Sequence, residues 1–116
     1  MIIENLTSRQ IIYLKIKMLH DSLSSQPSAV NVLCEMIVDA NETGRFCPND
    51  SFKANTAEKL GTSYPVIANC ITKLKSLGVI TQGEQRGVYT ISMYDKLKCD
   101  LPDDGKKYSL SIEIKN

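Results

Sequence analysis

Asn69, Thr72 and Lys73 follow one another at spacings of three and one in "ANCITKLK", and Arg86 comes soon after in "GEQRG". Their amide, hydroxyl, ammonium and guanidinium groups form hydrogen bonds and pair with phosphate, and none is a nucleophile with a base beside it. Recognition of a polyanion and of base edges is the chemistry that suits them, not bond breaking. A phosphate-binding glycine loop, a nucleophile elbow and a histidine–carboxylate cluster are all missing from the sequence. The chain therefore reads as a non-enzyme with no cofactor.

The remaining reactive residue types lead elsewhere. Cys34, Cys47, Cys70 and Cys99 lack the close-pair spacing of a zinc site or a dithiol motif. They read as free thiols in a reducing compartment, with Cys34 and Cys70 on the apolar stripes of predicted helices. His20 is the only histidine and reads as a satisfied structural residue. Asp103 and Asp104 stand before Gly105 without the regular oxygen spacing of a calcium loop, so a solvated turn is expected and no metal. "MIIENLTSRQ" lacks the basic start and apolar run of a signal peptide, and no window resembles a membrane span, which points to the cytoplasm.

A chain of 116 residues, 42% hydrophobic, suits one core and one domain over residues 1–116. Its net charge of +1 is unevenly placed. Residues 1–52 carry four basic and six acidic side chains, residues 53–98 seven and three, and residues 99–116 three and four. The middle section, which contains Asn69 to Arg86, is thus the basic part of a nearly neutral protein.

The elements that must position these residues follow from periodicity. From Ser8 to Leu23 the pattern is ambiguous, since Ile12, Leu14, Ile16 and Met18 alternate like a strand while Ile12, Ile16, Leu19 and Leu23 keep helical spacing; length favours a helix. After Pro27, Val30, Leu33, Cys34, Ile37 and Val38 form a second helical stripe ending near Asn41. "SSQPS", "NETGRFCPND" and "CDLPDDGKK" read as loops. "SFKAN" reads as extended, delivering Asn55 to cap a third helix from Thr56 to Leu60 with Glu58 as its capping partner, and Gly61 supplies a left-handed stop. Ser63 is then expected to cap a fourth helix with Pro65 in its first turn. Ile67, Cys70, Ile71, Leu74 and Leu77 line its apolar side, leaving Tyr64, Pro65, Ala68, Asn69, Thr72, Lys73 and Ser76 outward. Val79/Thr81 and Val88/Thr90 alternate around a loop bounded by Gly83 and Gly87, a predicted hairpin with Glu84, Gln85 and Arg86 at its tip.

A short helix, a glycine turn, a helix with an apolar rear and a polar front, and a basic hairpin make a helix-turn-helix with a wing. Residues 52–92 resemble the winged-helix family, and "LGTSYPVIANCITKLKSLGVI" with "GEQRGVYTI" looks like the DNA-binding half of GntR-type and MarR-type regulators. The resemblance implies DNA contacts from Tyr64, Pro65, Asn69, Thr72, Lys73 and Arg86, with Tyr64 standing where an arginine is common and Val66 where a threonine is common. Ser63 at the helix start and Gln85 at the wing tip complete the candidate DNA-binding set. The wider layout, through "DDGKKYSLSIEI", resembles RepL-type replication proteins of small Gram-positive plasmids and some phages. The fold class expected is mainly α with a small β-sheet, a winged helix-turn-helix with an extra N-terminal helix and a C-terminal strand.

That strand, "KYSLSIEIK", alternates Tyr108, Leu110, Ile112 and Ile114 with polar residues. It has three candidate partners: "MIIEN", the wing, or a second copy in a homodimer, which would present two recognition helices to double-stranded DNA. Sequence-preferring DNA binding in plasmid or phage replication control or transcription regulation is the leading expectation. The alternative is a protein-interaction module, such as a phage factor occupying a host protein, motivated by the near-neutral charge and the aromatic Tyr64.

Overall fold

A computed structural model describes residues 2–23, 25–101 and 104–111. In chain order the elements are β1 (Ile2–Leu6), α1 (Ser8–Leu19), a single 3₁₀ turn (Asp21–Leu23), α2 (Pro27–Asp39), β2 (Arg45–Phe46), α3 (Asp50–Lys59), α4 (Tyr64–Ser76), β3 (Ile80–Gln82), β4 (Tyr89–Ile91), α5 (Tyr94–Leu97) and β5 (Tyr108–Ser111). The fold is mainly α with small antiparallel sheets.

Local chemistry starts α1 firmly. The Thr7 hydroxyl accepts from the Gln10 amide and the Gln10 side chain accepts from the Thr7 amide, a complete capping box. The ambiguity along this segment resolves as helix because only Ile12 and Ile16 of the alternating set are buried, at helical spacing, whereas Met18 and Leu19 face solvent. The helix stops at Leu19, and the 3₁₀ turn then drives Leu23 into the core. His20 is not satisfied as expected, since its buried Nε2 has no hydrogen-bond partner among the described residues.

The central element is α2. Val30, Val32, Leu33 and Met36 are fully buried, so the expected stripe is in fact a nearly all-round apolar surface packed by α1 on one side and α4 on another. Each such side chain contributes about 1.5–3 kcal/mol by leaving water. Glu35 is buried on the same helix, its carboxylate held by the Arg9 guanidinium from α1 and by Lys59 Nζ of α3 at 3.1 Å. Three helices meet at that group.

The third helix corrects the sequence reading. "SFKAN" is not extended, and Asn55 does not cap; α3 begins at Asp50, where the Asn49 side chain accepts from the Phe52 amide at 2.9 Å. The reason is burial of Phe52, whose ring meets Phe46 edge-on with centroids 4.6 Å apart. A helix starting at Asp50 delivers that contact and leaves Asn55 exposed in mid-helix.

"NETGRFCPND" likewise holds a strand and not only a loop. Arg45 pairs with Thr90 and Phe46 with Tyr89, so β2 forms one edge of a three-stranded sheet in the order β2-β4-β3. The predicted hairpin is present, with Ile80, Thr81 and Gln82 opposite Ile91, Thr90 and Tyr89. Residues directly opposite share a face, so Arg45, Thr81 and Thr90 lie on the outer side while Phe46, Ile80 and Ile91 enter the core. Of the three partners considered for the last strand, β5 takes "MIIEN": Ile2, Ile3 and Leu6 stand opposite Ser111, Leu110 and Tyr108. The register slips between Ile3 and Leu6, where Asn5 adopts φ +62°. Ile112, Ile114 and Asp103 lie outside the described residues.

Candidate nucleic-acid interface

The turn before α4 is built by Gly61 at φ +67°, after which the Thr62 amide donates back to Ala57 at 2.9 Å and the chain reverses. Ser63 occupies the cap position in extended backbone, but its hydroxyl makes no capping bond, contrary to the sequence expectation. Pro65 in the first turn has no amide to leave unpaired there. Ile67, Ile71 and Leu74 anchor α4 to the core. Cys70 is half-buried, and Leu77, expected on the apolar side, is 37% exposed at the helix end.

The exposed side of α4 has an internal order. Pro65, Asn69, Thr72 and Ser76 fall four, three and four residues apart, which aligns them in one line along the helix. All four are exposed and uncharged. Two lysines flank this line. Lys73 lies toward the start of α2, where it borders a groove with Gln26, Pro27, Ser28, Val66, Asn69 and Cys70. Lys75 lies on the other flank with its ammonium 5.3 Å from the centre of the Tyr89 ring, so this flank adjoins the hairpin.

Hydrogen bonds sort the polar groups further. The Thr72 hydroxyl donates to the Ala68 carbonyl at 3.1 Å and the Ser76 hydroxyl donates to the Lys73 carbonyl at 2.8 Å. The Asn69 carboxamide makes no hydrogen bond among the described residues. Gln85 and Arg86 are exposed in the connection between β3 and β4, closed at its base by the Gly83 amide donating to Val88 at 3.1 Å. Arg86 forms no ion pair among the described residues.

At the head of α4, the Tyr64 hydroxyl donates to Asp50 Oδ1 at 2.6 Å, and the Lys53 ammonium stands 5.6 Å from the Tyr64 ring centre. That hydrogen bond raises the phenol's pKa above its ordinary 10.0, helped by desolvation and the Asp50 charge. Ser63, Tyr64, Pro65, Asn69, Thr72 and Lys73 thus share the exposed side of one helix and its head, while Gln85 and Arg86 belong to the neighbouring hairpin.

Sequence reasoning missed Asp50 and Lys53, because reading "SFKAN" as extended removed them from the start of a helix. Arg45 was also missed. It borders a concave surface of about 340 Å³ with Gly83, Glu84, Gln85, Val88 and Thr90, and its only signal was the unrecognised pairing of "RF" with "YT". Among the described residues, no three histidine, cysteine, aspartate or glutamate side chains gather to hold a metal, and no helix is long and apolar enough to cross a membrane. Comparison with protein-family models, curated proteins and solved structures finds no match.

Proposed function

We propose that this chain is a winged helix-turn-helix protein that binds double-stranded DNA with a sequence preference, in the replication control or transcription regulation of a plasmid or phage. One observation carries the reading: the exposed polar line of α4 has lysines on both flanks and a hairpin bearing Arg86 beside it. In this reading α4 enters the major groove, Lys53, Lys73 and Lys75 meet phosphates along its sides, and Arg86 reaches backbone or minor-groove atoms. Lys59 takes no part, being held by Glu35. About four phosphate contacts per protomer imply a slope of roughly −3 to −4 per protomer in the logarithm of affinity against the logarithm of salt, about twice that for a dimer.

A homodimer belongs to the proposal. Among the described residues the β1–β5 ribbon has two strands, and two-stranded ribbons are marginal alone, so pairing with a second copy would satisfy an open edge. Two α4 helices would then address half-sites about one DNA turn apart.

A second reading has its own support. Val66 is exposed beside a groove of about 460 Å³ lined by Pro27, Ala29 and Cys70, which suits an apolar segment of a host protein. Selection of bound duplexes from a random pool, followed by footprinting, separates the two. Enrichment of a discrete site supports DNA recognition, and recovery of random sequence together with no retardation at low salt supports the protein partner.

A further inference from the structure

Resting on the DNA-binding reading, we infer that the exposed line of α4 selects an A·T-rich segment in the major groove. The commonest contact to guanine is a bidentate arginine or lysine on its O6 and N7. The line Pro65, Asn69, Thr72, Ser76 contains neither. Its lysine neighbours stand on the flanks of the line: Lys75 is drawn over the Tyr89 ring, and Lys73 borders, with Asn69, the groove at the start of α2.

The groups that do occupy the line match adenine and thymine. Asn69 offers a donor and an acceptor on one planar amide, the pattern that pairs with N7 and the N6 amino group of adenine. The Thr72 and Ser76 hydroxyls each donate to a carbonyl of their own helix, and in that arrangement they present an acceptor toward a base edge. An outward acceptor is compatible with the amino group of adenine or cytosine and faces only acceptors on guanine. Cytosine is therefore permitted by the hydroxyls alone. Asn69 decides for adenine, and the Thr72 methyl and Pro65 ring add apolar contact suited to the thymine methyl. Arg86 on the hairpin favours the same composition, since narrow A·T minor grooves attract arginine.

Fluorescence anisotropy on the full chain with three labelled duplexes of equal length, at one fixed salt concentration, tests this. One duplex is A·T-rich, one replaces its core with G·C pairs, and one replaces it with inosine·cytosine pairs, which keep an A·T-like minor groove but present guanine-like acceptors in the major groove. The expected result is binding to the A·T duplex about tenfold tighter than to either of the others, with Asn69→Ala losing most of that ratio while still binding DNA. Circular dichroism confirms that the variant is folded. Equal or tighter binding to G·C overturns the inference. So does an inosine·cytosine duplex that binds like A·T, which moves the preference to the hairpin in the minor groove, or a ratio unchanged in Asn69→Ala, which removes the adenine contact on which the inference rests. Binding to all three with no preference leaves the DNA reading standing and removes this one; binding to none at low salt removes both.

Discussion

The Tyr64 hydroxyl donates to Asp50 across 2.6 Å, tying the first residue of α4 to the first residue of α3. This bond links the two helix starts at the surface, where the Lys53 ammonium stands 5.6 Å from the centre of the Tyr64 ring. The folded-state pKa of Tyr64 is raised, so any stability from the bond is present below pH 10 and is lost as pH rises through the folded value. Asp50→Asn should return Tyr64 toward its ordinary pKa. Because the chain has five tyrosines, the check is an NMR titration with ring-labelled tyrosine assigned by Tyr64→Phe. An unchanged Tyr64 titration would contradict the contact.

Glu35 joins α1, α2 and α3 through Arg9 and Lys59. Its carboxylate is nearly buried, while Arg9 is 30% and Lys59 54% exposed, so both cations can rehydrate when it is removed. Glu35→Ala should therefore cost about 1–3 kcal/mol in urea unfolding, short of the penalty for stranding a buried charge. Lys59→Ala should cost less than Arg9→Ala, because the more exposed pair is better screened.

Gly44 and Gly61 both have positive φ, but only Gly44 is crowded. A Cβ there would lie 2.7 Å from Cβ and Cγ of Tyr94, whereas nothing lies within 4 Å at Gly61. Gly61→Ala should cost about 1–2 kcal/mol, the backbone penalty alone. Gly44→Ala should cost clearly more, because the Tyr94 side chain and α5 must also shift. Paired thermal melts give the comparison.

The thiols should differ in reactivity. Cys47 is exposed, Cys34 is buried with its Sγ 3.5 Å from the Arg9 carbonyl, and burial raises the pKa of the half-buried Cys70. Iodoacetamide at neutral pH, read by peptide mass spectrometry, should label Cys47 first, Cys70 more slowly and Cys34 only on unfolding. Because the raised Cys70 value favours the neutral thiol, any stability it confers is lost only as pH rises through that value.

The helices α2 and α4 and the hairpin were legible because each depends on local periodicity: Ile67, Ile71 and Leu74 are spaced for one face, and Gly83 and Gly87 bracket a turn between alternating runs. What escaped depended on partners distant in the chain. The sequence reading places the cap at Asn55, whereas Asn49 caps the helix and Phe52 meets Phe46. Nothing near "RF" announces a two-residue strand whose partner is Tyr89 and Thr90. Within the candidate site, the outward residues of α4 could be read from spacing. The Tyr64–Asp50 bond and the inward donation by Thr72 and Ser76 could not, because they depend on side-chain direction.

The central claim is that α4 and the hairpin act together on DNA, and its most direct test is the salt dependence of binding for the parent chain, Arg86→Ala and Asn69→Ala on a selected site and on random DNA. Arg86→Ala should weaken both and flatten the salt slope by about one unit for each bound protomer, since each loses one phosphate contact. Asn69→Ala should keep the slope and cost about 1–3 kcal/mol on the selected site and little on random DNA. Normally folded variants that bind with the affinity and slope of the parent would contradict the account and direct attention to the groove beside Val66.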